Sequence, residues 1–386
     1  MKNTWKEIFK KAAISLVAVL IAVILGEAGL RHLFSGAYYI WPSGFHTVFK
    51  PLPEIMPGIY GESKFIANSK GIRGAEIPAG KAYKILAIGG SATECTFLDQ
   101  TEAWPFLLEK KLAGSTGLSV WVGNIGKSGN TTRHNILQMR CLLRQFPDTD
   151  AVLALVGIND LTIALSRGPG YAAQDESEEE MSISSFSMIP LSHRSHLPFY
   201  KKTAIWQVCK KLRYLIFSGS NRQDTEGRQY ITWRGHRKKA KTIIDVLPDM
   251  SMPLEEYSRN INTMIDLAKE RNTRLIFITQ PTLWRRGLSR ELENLMWLGG
   301  IGDFQKEEGK EYYSPSALAG AMKMYNDTLL DICLRRKVEC VDLAGLLPKD
   351  TSVFYDDCHF NEEGSKKAAE LISLHMLQHK PFKEDE

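Results

Sequence analysis

The sequence has no paired cysteines. Its six cysteines stand at 95, 141, 209, 333, 340 and 358 of 386 residues, and no two are spaced Cys-x-x-Cys. That excludes a zinc site built on cysteine pairs. A strong charge of either sign is missing too. The formal net charge is only +5, whereas nucleic-acid binding wants a concentrated basic face, so no nucleic-acid partner is expected. There is no internal repeat, which removes solenoids and propellers. No phosphate-binding loop is complete either. Gly126-Lys127-Ser128 looks like its end, but Trp121 stands where the required first glycine belongs. None of the histidines outside the stretch around 359, His375 and His379 included, is assigned a ligand role, and no metal or cofactor is expected.

What is present starts at the N-terminus. Lys2, Lys6, Lys10 and Lys11 precede an apolar run, Ala12 to Gly26, closed by Glu27. The run is short for a spanning helix of ~20 apolar residues and long enough for a signal-peptide core. No clean A-x-A cleavage pattern and no lipid-acceptor cysteine follow it, so residues 1–34 are read first as an uncleaved signal-anchor helix, with a cleaved signal peptide and a buried soluble helix as the other readings. The lysines place the N-terminus in the cytoplasm and the rest of the chain outside it, a single-pass arrangement whose one membrane contact is this helix.

Residues 35–80, rich in aromatics, prolines and glycines, read as a lead-in that packs on the main domain, 81–380. Within that domain five strand-length apolar runs alternate with helical patterns: Lys84–Ile88, Leu118–Ile125, Ala151–Val156, Arg274–Thr279 and Val338–Leu343. Such alternation argues for a parallel sheet covered on both faces. A long insertion, 165–253, breaks the rhythm, with a helix expected around Lys201–Phe217. A loop of this length is usually functional or mobile. Its basic run Arg234–Lys241 is read first as a solvated helix face, with anionic lipid or polysaccharide as the other reading.

In open parallel sheets, ligands bind beyond the carboxyl ends of the strands. The polar residues expected there fall in four short segments: Gly89-Gly90-Ser91, Ser128-Gly129-Asn130-Thr131, Gly157-Ile158-Asn159-Asp160 and Asp356-Asp357-Cys358-His359. Together they hold a hydroxyl, a small-residue turn, an amide and an Asp-x-x-His pair, the parts for acyl transfer through a covalent serine intermediate. Asp160 and Asp357 are assigned no chemistry. Cys95 and Cys358 adjoin Ser91 and His359, either as buried thiols or as a disulfide.

The order of these segments resembles the four blocks of the SGNH (GDSL-like) hydrolases. The resemblance covers residue 84 to about 375, the insertion excepted. Trp104-Pro105 and Asn361-x-x-Gly364 are similar to the family as well. It implies a flavodoxin-like three-layer α/β/α sandwich with a five-stranded parallel sheet. It also implies an esterase with Ser91 as nucleophile, His359 as base and Asp356 as its orienter. Ser91, Gly129 and Asn159 would form the oxyanion hole. One position departs from the family: its Gly-Asp-Ser is Gly89-Gly90-Ser91 here. The expected substrate is an acylated small molecule or carbohydrate, most simply an O-acetyl ester on exported or envelope polymer. An O-acyltransferase and a non-catalytic carbohydrate-binding scaffold are the alternatives.

Overall fold

The computed structural model describes residues 2–33, 36–172, 177–190, 199–206, 208–209 and 224–382. The chain opens with α1 (Lys2–Leu33) and later enters the domain at β1 (Tyr83–Gly89), followed by α2 (Ser91–Glu94) and α3 (Trp104–Thr116). Then come β2 (Val120–Asn124), α4 (Thr132–Gln145), β3 (Ala151–Leu155) and α5 (Ile158–Arg167). The insertion contributes α6 (Gln229–Lys238), and α7 (Ser251–Glu270) leads to β4 (Arg274–Ile278). The path closes with α8 (Pro315–Arg336), β5 (Glu339–Val341) and α9 (Glu362–Leu377).

The five strands form one parallel sheet in the order β2-β1-β3-β4-β5. Strands β2 and β3 are buried along their whole length, as strands covered on both faces must be. Helices α4, α7 and α8 pack together, and α3 packs on α9. The helical spacing in α7 buries Tyr257, Ile261, Met264 and Ile265 while its other face stays wet. Every expected strand of this framework forms, within a few residues of its expected ends, and helices stand between them. The strand order puts the reversal of direction between β1 and β3, which is where such sheets bind ligands.

Helix α1 is continuous well beyond the apolar run, because Trp5, Ile8 and Phe9 extend its apolar surface. Trp5–Arg31 is long and apolar enough to cross a membrane, and none of it is buried in the protein. Length and composition fit an anchor and a signal sequence alike. At its C-terminal end Glu27 pairs with Arg31 and accepts the backbone N–H groups of Ala204 and Ile205, 2.9 and 3.0 Å away.

The lead-in packs on the domain through Arg73, which is fully buried. Its main chain pairs with Asn124 at the end of β2. Of the helix expected over Lys201–Phe217, residues 207 and 210–217 lie outside the described residues. The basic run is a solvated face only in part, at the exposed Lys238, Lys239 and Lys241. Arg234, His236 and Arg237 are buried, because their partners are main-chain carbonyls of distant segments. Arg234 donates to Ile55 O, Leu295 O and Tyr355 O at 2.6–3.0 Å. Arg237 donates to Leu298 O and Tyr313 O at 2.7 and 2.8 Å. The insertion is thereby bolted to a second excursion, residues 280–314, which the sequence pattern left without a role.

Candidate active site

Ser91 begins α2 directly after the Gly89-Gly90 turn. Gly89 has φ +155°, and a Cβ there would lie 2.4 Å from both Leu155 O and Thr93 Oγ1, so only glycine fits. The turn sets the Ser91 hydroxyl at a helix start, partly exposed. Its Oγ lies 2.7 Å from His359 Nε2. On the far side of the ring, His359 Nδ1 lies 2.7 Å from Asp356 Oδ2. Asp356 is fully buried and saturated with donors. Oδ1 accepts the N–H groups of Cys358 and His359 at 3.0 and 2.9 Å, and Oδ2 also accepts the Trp297 indole N–H at 2.9 Å.

Electrostatics follow from this packing. Burial alone would lower the His359 pKa, but the facing Asp356 carboxylate outweighs it and holds the imidazole well above its ordinary value. Burial would likewise raise Asp356, yet the His359 charge and the hydrogen bonds keep it below the usual carboxylate range. The neighbouring Asp357 is pushed up by burial and by Asp356. It accepts from Trp284 Nε1 and from the Trp297 and Leu298 amides at 2.7–3.2 Å, which makes it a buried structural clamp.

Aromatic rings wall the imidazole. Tyr355 stacks on it with ring centres 5.4 Å apart, and Tyr230 of α6 meets it edge-on at 6.3 Å. Trp233, also on α6, stacks on Trp297 at 4.5 Å and keeps part of its surface exposed. Cys95 and Cys358 are buried free thiols, and burial pushes both up to about 11.

The two remaining blocks converge on the same place. Gly129 sits exposed at φ +81°. The amides of Ser91 and Gly129 donate to no other described group. Asn159 Nδ2 donates to Asn130 O at 2.8 Å, which uses one of its two N–H bonds. The same nitrogen lies 2.4 Å from where a Cβ on Gly90 would stand, so the amide is beside the serine turn. Asp160 clamps the block from behind, accepting from Thr132 N and Oγ1. Desolvation pushes its carboxyl up to about 6 despite those donors.

Several positioning residues escaped the sequence reading. Arg73 donates to the carbonyls of Glu94, Cys95 and Leu98, fixing the chain just after Ser91. Glu94 accepts the Ser128 N–H, tying the serine loop to the Gly129 loop. Trp297 and Trp284 come from 280–314. Glu94 stands three residues after Ser91 and is open to notice, whereas nothing local marks the other three.

A search of curated proteins finds no match. Solved structures with a similar fold include an acetyl xylan esterase (12% identity, 76% of this chain and 99% of that one, TM-score 0.39). A catalytic mutant of an acetylxylan esterase from Geobacillus stearothermophilus shares 14% identity over 80% of this chain and 98% of its own, at TM-score 0.38. An α/β hydrolase from the metagenome of Lake Arreo, Spain, shares 14% over 77% and 98%, at TM-score 0.40. The GDSL-like lipase/acylhydrolase family model matches residues 87–367, which span most of the chain and all four blocks. The chain belongs to the GDSL-like lipase/acylhydrolase family.

Proposed function

We propose that the chain is a serine esterase that removes O-acyl groups, acetyl being the smallest, from exported or envelope carbohydrate. The observation that carries this reading is the unbroken relay Ser91 Oγ–His359–Asp356, with 2.7 Å at each link. Neutral His359 takes the Ser91 proton on Nε2 as Oγ bonds to the acyl carbon. The carbonyl oxygen becomes an oxyanion held by the free amides of Ser91 and Gly129 and the second N–H of Asn159 Nδ2. His359 then passes its proton to the departing alcohol oxygen as the C–O bond breaks. Water repeats the sequence on the acyl-enzyme and restores Ser91. Asp356 stays ionised throughout, holding the tautomer and stabilising the imidazolium.

The carbohydrate part of the proposal rests on two supports. The lysine-rich start of α1 favours a cytoplasmic N-terminus and an outward-facing domain. The partly exposed Trp233 ring offers a flat aromatic surface next to the site, of the kind that gives a polar ligand packing area. The test is hydrolysis of para-nitrophenyl acetate and of acetylated oligosaccharide by the full chain in detergent, wild type beside Ser91→Ala. Both activities should vanish in the variant. Activity that survives it would remove Ser91 as nucleophile, and activity on the small ester alone would remove the carbohydrate.

A further inference from the structure

The sheet's other end carries a cluster that ester hydrolysis does not use. Glu339 opens β5 at its amino end, whereas Ser91 and its partners stand beyond the carboxyl ends. His375 lies in the last turn of α9, and His379 follows four residues on. Sequence spacing alone gave these histidines no ligand role, because their third partner comes from a strand 36 residues earlier. Both imidazoles face one carboxylate oxygen. His375 Nε2 is 3.1 Å from Glu339 Oε2, and His379 Nδ1 is 3.8 Å from the same atom. The two rings are 4.6 Å apart, and the three potential ligand atoms all lie within 4.8 Å of one another.

A tetrahedral zinc ion with bonds of about 2.0–2.1 Å sets its ligand atoms roughly 3.3–3.4 Å apart. Two of the three edges are already close to that length. Two imidazoles and a carboxylate are a donor set that suits zinc among the abundant divalent ions. The carboxylate is also fixed and charged. Arg274 grips it through Nε to Oε1 at 2.7 Å and Nη2 to Oε2 at 2.6 Å. Metal-ligating carboxylates are commonly oriented by such hydrogen bonds.

We propose that Glu339, His375 and His379 form a zinc-binding site that ties the C-terminal helix to the edge strand, with water at the fourth vertex. Two features set its strength. The Arg274 guanidinium repels the ion, and His379 Nδ1 must leave His375 O, now 2.7 Å away. Affinity is therefore lower than that of closed structural sites.

The test is calorimetric titration of zinc chloride into the metal-stripped full chain in detergent, with para-nitrophenyl acetate hydrolysis followed in parallel. One equivalent should bind and raise the melting temperature. His375→Ala and His379→Ala should each weaken binding at least tenfold and leave metal-free hydrolysis at the wild-type rate. Absence of saturable binding would overturn the proposal. So would equal affinity in both variants, which together with zinc inhibition of hydrolysis would place the ion at Asp356, Cys358 and His359, the other cluster of suitable ligands.

Discussion

The Trp297 indole N–H and the His359 ring share one acceptor: Asp356 Oδ2 lies 2.9 Å from Trp297 Nε1 and 2.7 Å from His359 Nδ1. Asp356 thus divides its charge between the proposed base and a tryptophan that Trp233 of the insertion braces from behind. A hydrogen bond to a charged group contributes about 1.5–3 kcal/mol. Trp297→Phe removes the N–H and keeps most of the packing. The less stabilised carboxylate should then attract the imidazolium more strongly. The acid limb of kcat/KM should therefore move to higher pH. A pH–rate profile superimposable on wild type would show that Trp297 only fills space.

The same pair sets the wild-type pH dependence. As the proposed base, His359 would have to be neutral to accept the Ser91 proton, and Asp356 holds its pKa well above the ordinary 6.5. Activity should therefore be low at pH 6 and climb through a midpoint above 6.5. For stability the sign runs the other way. A raised histidine contributes stability that is fully present below about 6.5 and is lost as pH rises through the folded value. Ester hydrolysis and urea unfolding measured across pH 5–9 would check both. An acid limb centred below 6 would contradict the ion-pair reading.

The framework and the four blocks were legible because their signals are local. Strand-length runs, helical spacing and Asp-x-x-His all lie within a few residues. The residues that escaped act across the chain. Trp297 reaches Asp356 over 59 positions, and Arg234 reaches Tyr355 over 121. Their partners are carbonyls or a single carboxylate, which leave no pattern in sequence. The basic run misled for a related reason. A buried arginine that satisfies backbone carbonyls has the same letter as one in water.

Gly90, where the family's motif has aspartate, gives a third prediction. Its φ of −91° lies outside the left-handed region that favours glycine, so Gly90→Ala should fold. The new Cβ would stand 2.4 Å from Asn159 Nδ2, the movable end of a side chain. Relaxation is cheap, and the unfolding midpoint should change little. The amide, however, must leave the serine turn. Loss of one oxyanion donor costs about 10²–10³ in kcat, so a fall of roughly that size with KM nearly constant is expected. Wild-type kcat in Gly90→Ala would remove Asn159 from the oxyanion hole.

Arg234 and Lys239 share one basic run and should differ sharply in their effect on stability. The Arg234 guanidinium, buried, holds the lead-in at Ile55, the excursion at Leu295 and the histidine loop at Tyr355. Arg234→Ala would leave three carbonyls without their donor, at roughly 1–3 kcal/mol for each that stays dry. Because Tyr355 stacks on His359, the loss should reach the site as well as the fold. Lys239 pairs with Glu308 at 2.9 Å with both side chains more than half exposed, and such pairs add little. Urea unfolding of the full chain in detergent should show a large drop in midpoint for Arg234→Ala and no measurable shift for Lys239→Ala. Equal, small effects in the two variants would mean that the insertion is held to the domain by apolar packing and that its buried arginines add nothing.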